Sequence, residues 1–157
     1  MLIPKKSLGQ NFLLDKNICK KIINLAEIKN KTVLEIGPGT GQLTDEIIKK
    51  KPKKLILIEK DVELYKFLMN KYIKTNNIEI LNKDILKTNI KKYKDLIIFS
   101  NLPYNISLNI VLKLLFINNS ILKIITMLQK EVAEKLDYTS KKRNKYNFLV
   151  EVLSNYK

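Results

Sequence analysis

Five short apolar runs, Thr32–Ile36, Lys54–Glu59, Ile78–Asn82, Leu96–Ser100 and Lys123–Leu128, alternate with segments of helical periodicity. This alternation is the strongest constraint on the fold. The runs are nearly continuous in apolar residues, as strands covered on both faces require. A helix between two strands makes the pair parallel, with a right-handed crossover. The predicted fold is therefore α/β: a doubly wound parallel sheet, with a ligand at the C-terminal ends of its strands.

The helical segments carry their own signals. Asp15 can cap a helix that places Ile18, Ile22, Leu25 and Ala26 on one face. Gln42–Lys50 gathers Leu43, Ile47 and Ile48, and Val62–Ile73 gathers Leu64, Phe67, Leu68 and Tyr72. Ser107 is a candidate cap for a helix with Val111, Leu112 and Leu115; Lys130–Asp137 is a shorter helix with Val132, Ala133 and Leu136. Asp137–Lys145 is polar and reads as a mobile loop. The last segment has two readings: Leu149, Val152, Leu153 and Tyr156 have helical spacing, whereas Phe148, Val150 and Val152 alternate like a strand. No internal repeat is present.

A chain of 157 residues with 45% hydrophobic content suits one domain and one core. The lone cysteine, Cys19, excludes an intrachain disulfide and fits a buried apolar position in a reducing compartment. Histidine is absent, which excludes serine–histidine chemistry and histidine-ligated metal. No metal is expected. The N-terminal residues lack a signal peptide's apolar stretch, and no run approaches membrane-spanning length, so a soluble cytoplasmic protein is expected without membrane association.

The first strand leads into Gly37-Pro38-Gly39-Thr40-Gly41 and then a helix. A strand, a tight glycine turn and a helix N-terminus form a pocket for a polar ligand. The G-x-G-x-G spacing differs from the dinucleotide fingerprint, although a nicotinamide dinucleotide remains the runner-up ligand. Glu59 closes the second strand, where a carboxylate can accept from both hydroxyls of a ribose. Asp84 follows the third and can accept from an adenine amino group. Each alone would more often be a solvated loop carboxylate; in order, at successive strand ends, they read as a binding site.

The fourth strand runs into Asn101-Leu102-Pro103-Tyr104. Proline fixes φ and removes a donor. The Asn101 side-chain oxygen and the Leu102 carbonyl can then face one way as acceptors, with the Tyr104 ring beside them. An exocyclic amine needs such a site, because its lone pair is delocalised into the base. Two acceptors on its N–H bonds aim the lone pair and favour developing positive charge. An ordinary Asn-Pro turn with a surface tyrosine is the plain alternative.

Together these residues resemble the ribosomal RNA adenine N6,N6-dimethyltransferase family known in bacteria as KsgA. Lys6–Leu13, Glu35–Thr44, Asn101–Ser107 and Met127–Leu136 carry the resemblance. It implies the Rossmann-like sheet of a class I methyltransferase, here of about five strands in the order 3-2-1-4-5, and S-adenosylmethionine as methyl donor. It also implies dimethylation of two adjacent adenosines near the 3′ end of small-subunit (16S) ribosomal RNA, and a role in small-subunit maturation. Asn11, Leu13, Gly37, Glu59, Asp84 and Asn101 are then expected to contact the cofactor, with Glu35 and Gly39 in the same pocket wall. Asn101, Leu102, Pro103 and Tyr104 are expected to be catalytic.

The family's tyrosine-glycine pair is Tyr146-Asn147 here. By the same resemblance, residues 1–157 are expected to form an incomplete methyltransferase domain, ending before strands six and seven and a small helical C-terminal domain. The full-length family is expected to be monomeric. The expectation for this chain is cofactor binding, self-association through an exposed fifth strand, and slow turnover. Two alternatives differ in function: a cofactor- and RNA-binding assembly factor with little turnover, and a large-subunit (23S) adenine-N6 methyltransferase of the macrolide-resistance type.

The formal net charge is +15, and of 30 basic residues only Arg143 is arginine. The excess has two readings: a surface for RNA phosphate, or the A/T-rich codon usage that also favours Lys, Asn and Ile. Lysine makes point contacts to phosphate rather than forked contacts to base edges. If the lysines bind RNA, affinity for ribosomal RNA will fall steeply on a log–log plot against salt. A slope near zero in a filter-binding titration assigns the charge to codon usage instead.

Overall fold

The computed structural model describes residues 13, 15–102, 105–117 and 120–154. Five strands form one parallel sheet in the order β3-β2-β1-β4-β5, as predicted. They are β1 (Thr32–Ile36), β2 (Lys54–Glu59), β3 (Ile78–Asn82), β4 (Leu96–Asn101) and β5 (Ile121–Met127). Six helices accompany them: α1 (Lys16–Ile23), α2 (Gln42–Lys49), α3 (Val62–Lys71), α4 (Ser107–Leu115), α5 (Lys130–Leu136) and α6 (Lys145–Leu153).

Strand alternation sorts the core into two layers. Leu34, Ile36, Ile56, Ile58 and Ile98 face α4, α5 and α6, where Ile110, Val132, Leu136 and Val150 meet them. Val33, Leu55, Leu57, Ile97 and Phe99 face α1, α2 and α3, where Cys19, Ile23, Ile47 and Leu68 are buried. β1 lies between β2 and β4, hydrogen-bonded along both edges and covered on both faces. Its apolar run therefore has no polar alternation.

The first three strands match their predicted bounds, while β4 runs one residue further. β5 begins earlier than predicted. A register irregularity beside Leu96 and Ile97 pairs Leu96 with Ile121 and Ile97 with Lys123. Leu122 is left out of that register and is exposed, which breaks the apolar pattern at the strand's start.

Several helix faces differ from the sequence reading. α1 is capped by Asp15, which accepts from the N–H groups of Asn17 and Ile18. Yet it buries Cys19, Ile22 and Ile23, while Ile18 and Leu25 are exposed. The helix stops at Ile23, so Leu25 and Ala26 lie beyond it. In α3, Leu64 and Leu68 are buried and Tyr72 is the C-cap, but Phe67 is exposed. Ser107 does not cap α4. Ile106 occupies the N-cap, and Ser107 is buried in the first turn.

The chain's last described element is a helix, which resolves the two readings of that segment. Its inward face is Asn147 and Val150 rather than Leu149 and Val152. The polar run before it is held locally: Asn144 Nδ2 donates to the Lys135 carbonyl, and Arg143 pairs with Glu151 at 2.8 Å. Tyr156 lies outside the described residues.

Asn147 replaces the expected glycine and has a clear structural role. Its Oδ1 accepts from the Asn144 N–H at 2.9 Å, its Nδ2 donates to the Lys142 carbonyl at 2.9 Å, and its side chain is fully buried. Asn144 Oδ1 in turn accepts from Tyr146 and Asn147, completing a reciprocal cap. Asn147→Ala will leave buried groups unpaired and cost about 2 kcal/mol. Thermal unfolding followed by circular dichroism will show a fall of roughly 4–8 °C; no change would refute the role.

Candidate functional site

Parallel crossovers bring every strand's C-terminal end to one edge of the sheet. Between β1 and β4 the winding reverses, and a crevice opens there. A cavity of ≈ 200 Å³ occupies it. Gly37 and Gly39 line it from the turn after β1, Glu59 from the end of β2, Asp84 after β3, and Asn101 and Leu102 from the end of β4. Glu35 is in its wall and Leu13 closes one side, while Leu43, Ile58, Ile85 and Ile110 supply apolar surface. Of the predicted site residues, Asn11, Pro103 and Tyr104 lie outside the described set; all the others line this one cavity.

The glycine turn holds its shape through positive φ at Gly37 (65°), Gly39 (60°) and Gly41 (85°). The Gly37 N–H donates to the Ile58 carbonyl at 2.9 Å and ties the turn to β2. Gly41 is constrained twice. Besides its backbone angle, a Cβ there would stand 2.3 Å from Tyr72 Oη. That hydroxyl lies 2.7 Å from Asp45 Oδ1 and 3.0 Å from the Gly41 carbonyl. Lys71 Nζ donates to Asp45 Oδ2 at 2.8 Å and to the Thr40 carbonyl at 3.0 Å. The end of α3 thus grips the turn from outside.

The three pocket carboxylates sit in different environments. Glu59 is 6% exposed; its Oε1 accepts from the Asp61 N–H at 2.9 Å and its Oε2 from the Gly39 N–H at 3.2 Å. Burial pushes its pKa up, against the pull of those N–H groups. Asp84 Oδ1 accepts from the Leu86 N–H at 2.9 Å, and Oδ2 pairs with Lys60 Nζ at 3.0 Å. Partial burial would raise its pKa; the Lys60 ammonium and Leu86 N–H outweigh that and hold it below the usual value. Glu35 is 2% exposed and accepts from Thr44 Oγ1 at 2.7 Å. Burial, reinforced by the charges of Asp45 and Glu59, raises its pKa to about 8 against the pull of Thr44. At neutral pH it holds its proton.

Sequence reasoning missed Lys60 and Lys83 beside the pocket, the Tyr72–Asp45–Lys71 brace, and Lys113, which reaches the loop after Asp84. One signal was available: Lys113 is a lone cation in an otherwise apolar helical run. Tyr72 and Lys71 gave none, because their contacts cross from α3 to the glycine turn. Among the described residues, no group of acidic or cysteine side chains is arranged to hold a metal ion, and no helix is long and apolar enough to cross a membrane.

A family model described as ribosomal RNA adenine dimethylase matches residues 2–157. Ribosomal RNA small subunit methyltransferase A from Pelagibacter ubique is 48% identical over 137 residues, which is 84% of this chain and 52% of that protein. The protein of the same name from Hydrogenobaculum sp. is 43% identical, covering 92% of this chain and 56% of its own length. The chain spans about half the length of these curated relatives. Among solved structures, a dimethyladenosine transferase from Plasmodium falciparum superposes with a TM-score of 0.77 at 30% identity, over 90% of this chain and 52% of the other. The 23S rRNA methyltransferase ErmE gives 0.73 at 32% identity, over 80% and 50%.

The Glu35 environment predicts a pH effect of definite sign. Its folded pKa is raised above its unfolded value, so the folded state holds a proton that the unfolded state releases. Its contribution is full below about pH 4.5 and is lost as pH rises through about 8. Between those limits unfolding free energy will fall by up to about 1.4 kcal/mol per pH unit from this group. Urea titrations across that range will show the slope in the wild type and a flatter profile in Glu35→Gln; identical profiles would refute it.

Proposed function

Because the chain belongs to the ribosomal RNA adenine dimethylase family, we propose that it forms the S-adenosylmethionine-binding part of an enzyme that dimethylates N6 of two adjacent adenosines near the 3′ end of small-subunit ribosomal RNA. The reaction belongs to small-subunit maturation in the cytoplasm, and the RNA partner is the small ribosomal subunit. The observation that carries this reading is the convergence of Gly37, Glu59, Asp84 and Asn101 on one cavity from four successive strand ends.

The donor set fits the cofactor. Each Glu59 oxygen already accepts one backbone N–H, and a carboxylate offers about four lone-pair sites. Two acceptor positions therefore remain for the two hydroxyls of a ribose. Asp84, after β3, meets the adenine amino group, with Ile85 and Ile58 providing apolar surface for the ring. Gly37 leaves open space where a side chain would project, so the backbone can approach a ligand closely. Leu13 lines the pocket from the N-terminal side, and the family resemblance adds Asn11 to the cofactor contacts.

Bound S-adenosylmethionine supplies an electrophilic methyl group on a sulfonium. The chain's own contribution is alignment and electrostatics. The Asn101 side-chain oxygen and the Leu102 carbonyl accept the two N6–H bonds of the target adenine, directing the nitrogen lone pair at the methyl carbon. The sulfonium would supply the methyl group and leave as the thioether, and because the nitrogen proton can depart after transfer, the chain need provide no strong base. The family resemblance assigns Pro103 to the catalytic motif and gives Tyr104 the role of stacking on the extruded base, a contact worth about 1–3 kcal/mol.

Labelled methyl transfer to unmodified small subunits, beside large subunits, tests the whole reading. Label on small-subunit adenosines supports it; label confined to large subunits, or none, overturns it. For the pocket, Glu59→Ala will weaken S-adenosylmethionine binding at least about tenfold with the fold intact, since it removes two charge-assisted hydrogen bonds of roughly 1.5–3 kcal/mol each. Unchanged affinity in calorimetry, with unchanged circular dichroism, would remove Glu59 from the site.

A further inference from the structure

Lys113 lies on α4, one turn beyond Ile110, which lines the cavity. Its Nζ donates to three carbonyls of the loop after β3: Ile85 at 2.7 Å, Leu86 at 2.8 Å and Thr88 at 2.8 Å. An ammonium has three N–H bonds. All three are used on one loop, and none remains for phosphate or a surface carboxylate. Burial lowers the pKa of the amine and the nearby charge of Asp84 opposes that shift, so the group is coupled to Asp84 as well as to the loop.

The link to Asp84 is geometric. The Ile85 carbonyl and the Leu86 N–H belong to the same planar peptide unit. Lys113 holds its oxygen at 2.7 Å, while Asp84 Oδ1 accepts from its N–H at 2.9 Å. Rotating that unit would break both bonds, so the ammonium fixes the direction of the N–H that orients the Asp84 carboxylate. The other oxygen pairs with Lys60, a half-exposed lysine at the pocket mouth. Three hydrogen bonds to a charged donor hold the loop more strongly than this surface ion pair.

We infer that Lys113 is a positioning residue for adenine recognition: through the Ile85–Leu86 peptide it holds Asp84 in the orientation that selects a 6-amino over a 6-oxo purine in the cofactor. The inference rests on the assignment of Asp84 to the adenine amino group. It deepens that assignment by adding the residue that makes the carboxylate selective. It also gives α4 two duties. The helix follows the turn proposed to hold the target base, and its second turn braces the loop proposed to read the cofactor's base.

The test compares S-adenosylhomocysteine with S-inosylhomocysteine, which has a 6-oxo group, by calorimetry on the full chain. The variants are Lys113→Met, Asp84→Asn and the double mutant, with thermal unfolding measured in parallel. The wild type will prefer the adenosyl ligand by about ten- to hundredfold. Lys113→Met will reduce that preference to about threefold or less, and in the Asp84→Asn background it will reduce it no further. If Lys113→Met weakens both ligands equally and keeps the wild-type ratio while Asp84→Asn loses it, Lys113 is only a strut and the inference is overturned. If Asp84→Asn keeps the wild-type ratio, the assignment of Asp84 fails and the inference falls with it. Should Lys113→Met not fold, Lys113→Arg replaces it. Its planar fork keeps the charge but cannot point at all three carbonyls, so a reduced preference is again expected and an unchanged one overturns the inference.

Discussion

The placement of β1 governs the rest of the molecule. It is paired along both edges and covered on both faces, so its backbone is satisfied and its end point is fixed. The glycine turn begins where that strand stops, and the Gly37 N–H finds its acceptor on β2. Strand alternation then sends Glu35 toward the layer of α1, α2 and α3, as it sends Val33. Burial disfavours the charged form of a carboxyl so placed. Its one close donor, the Thr44 hydroxyl, leaves it with a pKa of about 8. Glu59, at the end of the neighbouring strand, is also buried but accepts two backbone N–H groups. The same side chain thus serves two purposes: Glu35 is a proton-bearing part of the wall, while Glu59 remains an acceptor at the pocket.

Loops built from successive strand ends need bracing if their side chains are to meet at one point. Two braces are present. From α3, Tyr72 and Lys71 reach Asp45 and the carbonyls of Thr40 and Gly41, and set the outer side of the glycine turn. From α4, Lys113 gathers the carbonyls of Ile85, Leu86 and Thr88. Burial and the Asp45 acceptor hold the Tyr72 pKa well above its ordinary value, so it keeps its hydroxyl proton throughout the working range. Each brace spans elements that are distant in sequence; the first grips two backbone oxygens and the Asp45 carboxylate, the second three backbone oxygens.

The charge distribution suits the proposed ligands. A chain with formal charge +15 brings the carboxylates of Glu59 and Asp84 to one cavity and places Lys60 and Lys83 beside them. A second, more open hollow shares Lys83 and Asp84 and adds Lys87 and Lys92. Acceptors within the pocket match a cationic, hydroxyl-bearing cofactor. Lysines outside it match a phosphate backbone, which they attract without reading its sequence.

The parallel sheet, the glycine turn and the carboxylates at the strand ends were legible in the amino-acid pattern, and the family resemblance added the strand order. Continuous apolar runs admit few other arrangements, and a parallel sheet must bring its strand ends together. Helix faces were less legible. Ile18, Phe67 and Val152 have the right spacing yet lie exposed, because short helices dock at angles set by the sheet and bury only one or two rows of side chains. Asn147, polar and unremarkable in the sequence, is fully buried because its amide completes a reciprocal cap. The tertiary structure alone decided that Glu35 keeps its proton, that Gly41 has Tyr72 against it, and that Lys113 spends its charge on three carbonyls rather than on RNA. Those outcomes depend on which groups remain to satisfy a buried charge or donor once distant segments have packed, and spacing along the chain does not carry that information.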